Sequence, residues 1–218
     1  MKTFVTKNSN YCIYSAGMEC LRSIAEFTVR MNYLYHAVNE GTMEIEEKTE
    51  SVYFEEQAFS SESQIYIVED KRENMIGCIR VMKWNKTELL PVQKLFNINP
   101  LDRIESSHNS TYWHVGRFAV DSRMDIPIIS LFKQLMLYAI HPIYQEPDGY
   151  MIAECDSKLL RVINLLGIKT VHLGNSICYL GSETIPVYAD KKGLTAFYQK
   201  YSGIYHIEKG LFPSLRVA

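Results

Sequence analysis

The feature that most constrains the fold is a strand pair that gives way to alternating strands and helices. Residues 64–69 are rich in β-branched and aromatic side chains, a polar turn covers residues 70–74, and a second apolar segment covers residues 75–84. Two such segments joined by a short polar turn predict a β-hairpin within an antiparallel meander. Aromatic and β-branched residues predict a third strand over residues 111–120.

The second half of the chain alternates between helical and strand patterns. Apolar spacing and chain punctuation predict, in order, a helix over 127–144, a strand over 150–155, a helix over 157–166, and strands near 169–173 and 184–188. Pro127 suits a first helical turn, Asp156 suits an N-cap, and Gly167 suits a helix C-terminus. A hairpin followed by this alternation predicts an α/β (α+β) fold with a mixed sheet covered by helices.

The N-terminal region predicts one amphipathic helix, over residues 17–36, from apolar positions that include Leu34. The Glu-rich stretch around residues 44–47 is expected to be a solvated loop or helix face. Because the chain has no repeat, linker or low-complexity tract, we expect a single domain over residues 1–218, with its core at about residues 20–190. The aromatic segment 191–218 predicts a C-terminal helix and extension, which either packs or lines an acyl pocket.

Composition excludes several classes of function. A net charge of −2 does not indicate a nucleic-acid surface. The five cysteines include no CxxC pair, so neither a metal site nor a disulfide framework is indicated. The chain shows no apolar N-terminal signal and no apolar run near the roughly 20 residues that a membrane span needs. We therefore expect a cytoplasmic protein without a transmembrane segment.

Three local motifs resemble one enzyme family. Residues 76–81 read Ile-Gly-Cys-Ile-Arg-Val, residues 113–121 read Trp-His-Val-Gly-Arg-Phe-Ala-Val-Asp, and residues 179–187 begin Tyr-Leu-Gly-Ser-Glu. These are similar to the Gly-Cys-hydrophobic-Arg, Trp-Glu-hydrophobic-Ser-Arg-Phe and Tyr-x-Gly-Glu segments of acyl-homoserine-lactone (autoinducer) synthases. The related long-chain N-acyl amino acid synthases share this arrangement, and both belong to the GNAT superfamily of acyltransferases.

The resemblance implies a fold and a chemistry. The GNAT-like fold has a mixed central sheet with an antiparallel N-terminal meander, helices on both faces, and splayed fourth and fifth strands. The pantetheine arm of the acyl donor lies in the gap between those two strands. The family implies an acyl-phosphopantetheine donor, carried by acyl carrier protein or coenzyme A, as a co-substrate with no covalently bound cofactor.

The departures from the family motifs narrow the choice of donor and acceptor. Residues 121–127 contain no glycine, although the phosphate loop of acetyl-CoA-dependent members is glycine-rich at that point. This favours acyl carrier protein as the donor. Gln57 and Ser60 stand where homoserine-lactone synthases have aspartates, and His114 replaces their glutamate. We therefore expect an amino acid or another simple amine as the acceptor, in place of S-adenosylmethionine.

Two residues are candidates for the general base. His114 is suited to this role because imidazole titrates near neutral pH, and Glu154, on the next predicted strand, is the alternative. Regular strand geometry points His114 and Arg117 to opposite faces. Superfamily members carry a β-bulge on this strand, so a bulge is expected at Gly116. Cys155 is expected to be a small buried hydrophobe, since direct transfer to the amine needs no nucleophile from the enzyme.

The other candidate residues would bind the two substrates. Arg80 and Arg117 lie in apolar strands, where a guanidinium needs a partner. Either they bind an acceptor carboxylate, for which their planar shape is suited, or they form structural ion pairs, with Glu154 as a candidate partner. For the donor, the backbone of Phe118, Ala119, Val120 and Asp121 is expected to line the pantetheine cleft, and the N–H groups near Phe118 to Val120 are expected to stabilise the thioester oxygen as it gains charge.

The leading functional hypothesis is an N-acyltransferase that moves a fatty acyl group from acyl carrier protein, or from acyl-CoA, to the amine of an amino acid. The alternatives are an acetyl-CoA-dependent small-amine N-acetyltransferase and a catalytically silent acyl-binding module. Lys158 and Arg161 form a basic helix face, with Arg123 and Lys133 as possible neighbours, that either docks the acidic carrier protein or is solvated surface.

Overall fold

The structure, a computed structural model, describes residues 1–36, 42–179 and 182–205. The chain divides into two compact units. The first unit comprises Met1–Arg80 and Arg117–Met136, and the second comprises Val81–Gly116 and Leu137–Ala218. Each unit takes two separate stretches of the chain, so no single point in the sequence divides one from the other.

The strands are β1 (Thr3–Lys7), β2 (Tyr11–Ser15), β3 (Ser63–Asp70), β4 (Met75–Lys83), β5 (Thr111–Val120), β6 (Gly149–Asp156), β7 (Val171–His172), β8 (Ile177–Tyr179) and β9 (Ser182–Ala189). The helices are α1 (Leu21–His36), α2 (Thr42–Ala58), α3 (Pro91–Phe96), α4 (Ile128–Gln145), α5 (Ser157–Leu165) and α6 (Lys191–Ser202). Short 3₁₀ turns occupy Met18–Cys20 and Pro100–Asp102.

The strands form one mixed sheet, as predicted. Its order is β1-β2-β3-β4-β5-β6-β9-β7, and β8 pairs with β9. The N-terminal strands form an antiparallel meander, and β6 pairs antiparallel with β9. In contrast, β5 pairs with β6 in parallel, from Thr111 opposite Gly149 to His114 opposite Ile152. The parallel pairing covers four residues of β5, Thr111 to His114, and the splay of the two strands beyond this point stays a prediction.

The core of the first unit lies between α1 and the sheet. Leu21, Ile24 and Phe27 of α1 pack with buried residues of β3 and with Cys78 of β4. The neighbouring residue, Gly77, points the other way, because successive strand residues alternate between faces. A Cβ atom at Gly77 would lie 3.5 Å from the Leu135 side chain of α4. Helices α1 and α4 therefore cover opposite faces of β4, as predicted.

Three features of the N-terminal region go beyond or differ from the sequence prediction. The β1–β2 hairpin was not predicted because its strands are short, and the Glu-rich stretch, for which a loop and a helix face were both expected, lies in helix α2. Leu34 was expected on the apolar stripe of α1, but it is 51% exposed. Helix α2 packs on α1 through Val52, which joins a buried cluster with Val29 and Tyr33.

The residues predicted to begin and end the helices of the second half largely do so. The Asp156 side chain caps α5 by accepting hydrogen bonds from the backbone N–H groups of Lys158 (2.8 Å) and Leu159 (2.9 Å). Gly167 follows that helix with φ = +98°, a conformation that glycine adopts without a steric penalty. Helix α4 begins one residue later than predicted, at Ile128, so Pro127 precedes its first residue.

The C-terminal region contains the predicted helix, α6, which ends at Ser202. Phe197 and Tyr201 are buried, so these two aromatic side chains serve packing. Phe212 and the rest of the predicted extension beyond Tyr205 lie outside the described residues. In the described ranges, no helix combines the length and the apolar character needed to cross a membrane.

One partly buried contact between α4 and α6 involves a histidine. His141 Nδ1 lies 2.7 Å from the Tyr198 hydroxyl, and the Tyr198 ring stacks on Tyr144 with centroids 4.0 Å apart. Burial lowers the pKa of His141 below its ordinary value of 6.5. The folded protein therefore binds fewer protons at this site than the unfolded chain just below that value.

We expect stability to fall as the pH drops through and below about 6.5, because the unfolded histidine takes up a proton that the folded one resists. Substitution His141→Asn keeps an acceptor near Tyr198 but removes the titration, so it should flatten this part of the stability profile. The measurement is the thermal midpoint between pH 7.5 and 5. His172→Asn, at an exposed histidine of β7, is the matched control. A profile unchanged in His141→Asn would contradict the expectation.

Candidate active site

The first group of predicted residues is organised around Glu56 of α2. Glu56 continues the buried stripe of that helix, because it lies four residues after Val52 and three before Phe59. Its Oε1 atom accepts a hydrogen bond from an Nη atom of Arg80 at 2.6 Å. The exposed fractions of the Arg80 and Glu56 side chains are 1% and 0%. Arg80 is therefore held inside the first unit by a buried carboxylate.

Arg117 binds the same carboxylate from a less buried position. Its Nε donates to Glu56 Oε1 at 2.7 Å, and an Nη atom donates to the Glu55 carboxylate. The side chains of Arg117 and Glu55 remain 18% and 21% exposed. Burial alone lowers the pKa of Arg117, but Glu56 and Glu55 outweigh it and raise that pKa above its ordinary value. Arg117 is consequently a fixed positive charge at the edge of the network.

The backbone at Arg117 explains how the side chain is aimed. Asp121 N–H donates to Ile76 O (2.9 Å), and Trp84 N–H donates to Tyr112 O (2.8 Å). Between these two hydrogen bonds the β4 side advances by eight residues, from Ile76 to Trp84, whereas the β5 side advances by nine, from Tyr112 to Asp121. Strand β5 therefore carries one extra residue. Arg117 has φ = +52°, a left-handed conformation within the strand. The bulge expected at Gly116 is thus confirmed, with the left-handed residue one position later.

This conformation costs a non-glycine residue roughly 1–2 kcal/mol. Local contacts offset the cost. The Cys78 thiol donates to the Arg117 carbonyl oxygen at 3.1 Å, and the guanidinium of Arg117 is held by two carboxylates. Burial raises the pKa of the Cys78 thiol to about 12. Cys78 is therefore a neutral hydrogen-bond donor that supports the bulge, and it is not a nucleophile at neutral pH.

The second unit contains the other two predicted residues, His114 and Glu154. In the parallel register His114 lies opposite Ile152, and Glu154 is two residues further along β6. Both side chains therefore project from the same face. His114 Nε2 lies 2.9 Å from Glu154 Oε2, and the side chains are 2% and 11% exposed. The second oxygen, Glu154 Oε1, is buried and has no hydrogen-bond partner among the described residues.

The two candidate bases are therefore brought together as one pair. Glu154, which was considered as a partner for the arginines, is bonded to His114, and the arginine partners are Glu55 and Glu56. These two glutamates were missed by the sequence analysis. The available signal was Glu56 itself, since a carboxylate on the apolar stripe of a helix needs a buried cation. Cys155 is also buried, and burial raises the pKa of its thiol, as expected for a small hydrophobe.

The backbone predicted to face the donor divides into two sets. Asp121 N–H is used by Ile76 O in the sheet. Because N–H groups alternate between the two edges of a strand, Ala119 N–H also faces β4, whereas those of Phe118 and Val120 face away from it. The Asp121 N–H is thus occupied, and Phe118 and Val120 carry the two N–H groups that suit the predicted oxyanion role.

The segment that leads into α4 uses its own backbone donors. The N–H groups of Arg123, Met124, Ile126 and Ile128 donate within residues 121–128, in addition to the Asp121 N–H that donates to β4. The Asp121 carboxylate also accepts from the Arg123 guanidinium at 2.7 and 2.8 Å. In GNAT phosphate loops this position is expected to offer free N–H groups to a pyrophosphate. Here most of those groups are already bonded.

Comparison with known proteins identifies the fold. No protein-family model and no curated protein sequence matches the chain. Among solved structures, FeeM, an N-acyl amino acid synthase from uncultured soil microbes, superposes with a TM-score of 0.57 at 14% identity, covering 84% of this chain and 92% of FeeM. TofI, in a ternary complex with an inhibitor and MTA, superposes at 0.54 with 12% identity, covering 86% and 95%.

A third similar structure is FdhC, a nucleotide-linked sugar GNAT. It superposes with a TM-score of 0.50 at 13% identity, covering 93% of this chain and 97% of FdhC. These likenesses extend over most of every chain compared, at identities too low to carry function. Together with the mixed sheet, the β5 bulge and the short β5–β6 pairing, they show that the chain has a GNAT-like fold.

Proposed function

We propose that this protein is an N-acyltransferase that moves a fatty acyl group from acyl carrier protein, or from acyl-CoA, to the amine of an amino acid. The observation that carries the proposal is the His114–Glu154 pair, which offers a buried carboxylate oxygen as a proton acceptor. Amine acylation needs such an acceptor, because the attacking nitrogen must lose its proton. The likeness to FeeM, an N-acyl amino acid synthase, supports the choice of acceptor class.

In this reaction the amine lone pair attacks the thioester carbonyl carbon and forms a C–N bond. The carbonyl oxygen gains negative charge, for which the N–H groups of Phe118 and Val120 are the proposed donors. The ammonium proton passes to Glu154 Oε1. Collapse of the intermediate breaks the C–S bond, and the departing pantetheine thiolate takes up the proton held by Glu154, which restores the carboxylate. His114 is assigned the positioning role, since its Nε2–H holds Glu154 Oε2 at 2.9 Å.

Arg117 is the proposed binding site for the acceptor carboxylate. It lies in the matched motif, keeps its charge, and is 18% exposed, whereas Arg80 is buried and held by Glu56. A guanidinium binds a carboxylate through two parallel hydrogen bonds, which makes it more selective than an ammonium. Arg80 is therefore assigned to the support of Glu56, which in turn orients Arg117.

The donor is proposed to be acyl carrier protein. Supporting this choice, most backbone donors between residues 121 and 128 are already bonded, and the segment carries a carboxylate, Asp121, whose negative charge disfavours a pyrophosphate. A carrier protein is held mainly through its pantetheine arm and its acidic surface. Lys158 and Arg161 are both exposed on α5 and offer a basic face for that surface.

A competition assay read by mass spectrometry tests this proposal. The purified protein would receive acyl carrier protein loaded with a long-chain fatty acyl group, acetyl-CoA, and a mixture of amino acids and simple amines. An N-acyl amino acid product would support the proposal, and its mass would identify both the acceptor and the acyl length. Acetylated amines alone would assign the protein to the acetyl-CoA-dependent N-acetyltransferases. Absence of any product would favour a silent acyl-binding module.

A further inference from the structure

The arginine–glutamate network becomes more open from one end to the other. Arg80 and Glu56 are buried, with side-chain exposures of 1% and 0%, whereas Arg117 and Glu55 are exposed by 18% and 21%. Glu56 fixes Arg117 from the inside through Nε, and the Glu55 carboxylate bonds an Nη atom of Arg117. The guanidinium is therefore oriented by Glu56, while Glu55 occupies its outer edge.

The charges of these four side chains balance one another. Two guanidinium groups face two carboxylates, and the Arg117 guanidinium keeps its proton because both carboxylates raise its pKa. A third carboxylate brought to Arg117 would add an uncompensated negative charge beside Glu55 and Glu56. Like charges this close disfavour one another in a partly desolvated site. An acceptor carboxylate therefore fits best by taking the place of the Glu55 carboxylate.

The position of Glu55 on its helix favours such an exchange. Glu55 lies in the last turn of α2, which ends at Ala58. The C-terminus of a helix carries partial negative charge, so a carboxylate there is disfavoured by the helix itself. Glu56 shares that disadvantage, but it is buried and bonds two arginines. Of the two carboxylates, Glu55 is the one that can leave toward solvent.

We infer that Glu55 is a built-in competitor for the acceptor carboxylate and sets the specificity of the site by charge. This inference rests on the proposed function, because it names what the acceptor must displace from Arg117. An acceptor that carries a carboxylate displaces Glu55 and gains its bonds to Arg117. An amine without a carboxylate leaves Glu55 in place and gains nothing from Arg117.

The test compares Glu55→Gln with the unmodified protein, using N-dodecanoylglycine and N-dodecanoylglycinamide as matched probes in isothermal titration calorimetry. Removing the competing charge should tighten binding of the acid by about five- to tenfold and change binding of the neutral amide by less than about twofold. Equal effects on both probes, or no effect on the acid, would overturn the inference. A thermal unfolding curve of Glu55→Gln checks that the variant remains folded.

Turnover separates this inference from the proposed function. With the acceptor identified by the competition assay, Glu55→Gln should lower the KM for an amino acid severalfold and leave the KM for a matched amine without a carboxylate unchanged. If no amino acid is acylated by the unmodified protein, the proposed function is wrong. If amino acids are acylated with the same KM in both proteins, the function stands and the role of Glu55 is wrong.

Discussion

Replacing Glu56 by alanine is expected to lower the free energy of unfolding by about 3–5 kcal/mol. The substitution removes a carboxylate that accepts hydrogen bonds from Arg80 and Arg117, and it leaves the Arg80 guanidinium buried without that partner. An uncompensated buried charge costs far more than the intact ion pair contributes. Urea unfolding followed by circular dichroism measures the change.

Two controls separate this effect from a general weakness of α2. Glu47→Ala, at an exposed position of the same helix, should change stability by no more than about 0.5 kcal/mol. Arg80→Met combined with Glu56→Gln removes the buried cation, while the glutamine amide oxygen can still accept from Arg117 Nε. The double variant should therefore be more stable than Glu56→Ala. A cost below about 1 kcal/mol for Glu56→Ala would show that Arg80 does not depend on it.

The second half of the fold could be predicted from the sequence because its signals are local and agree with one another. Strand β5 begins and ends where predicted, α4 and α5 begin and end within one residue, and Asp156 and Gly167 cap α5 as their residue types indicate. Each of these features depends on side chains within a few positions of the boundary. Agreement between pattern, capping and turn chemistry is what makes such predictions accurate.

Helix α2 could not be distinguished from a loop, because its sequence pattern does not show which of its residues are buried. Apolar residues such as Met43 and Phe54 are exposed and Glu56 is buried, so no clear apolar face distinguishes the helix from a solvated loop. The residues that anchor it are few, chiefly Val52 and Glu56, and Glu56 is stabilised by arginines from β4 and β5 that are distant in sequence. Contacts between residues that are distant in sequence cannot be recognised from the residues of one short segment.

The residues of the candidate site were found individually, but their partners were not. Motif positions identified Arg80, Arg117 and His114 as chemically significant residues, and its place on the next predicted strand identified Glu154. Pairing depends on register, however, and one residue of slip reverses every side chain of a strand. The parallel register that places His114 opposite Ile152, and the bulge at Arg117, decide which carboxylate each residue meets.

The largest effect on activity is expected from Glu154→Gln. If Glu154 Oε1 accepts the amine proton, this isosteric change removes the acceptor and should lower kcat/KM by about 10²–10⁴-fold. The side chain is almost buried and Gln matches its shape, so folding and product binding should be preserved. The rate is measured with acyl carrier protein that bears a long-chain acyl group and with the identified acceptor. Calorimetry with N-dodecanoylglycine checks product binding.

Substitutions at His114 decide which member of the pair is the base. His114→Gln keeps an N–H donor near the position of Nε2, so it should still hold Glu154 Oε2 and retain activity within about tenfold, a loss well below that of a missing base. His114→Leu removes the donor and should lose considerably more. Rescue by glutamine but not by leucine is the signature of a positioning residue, because glutamine cannot act as a base. If His114→Gln is as inactive as Glu154→Gln while both variants still bind the product, the imidazole takes the proton, and Glu154 is the residue that orients it.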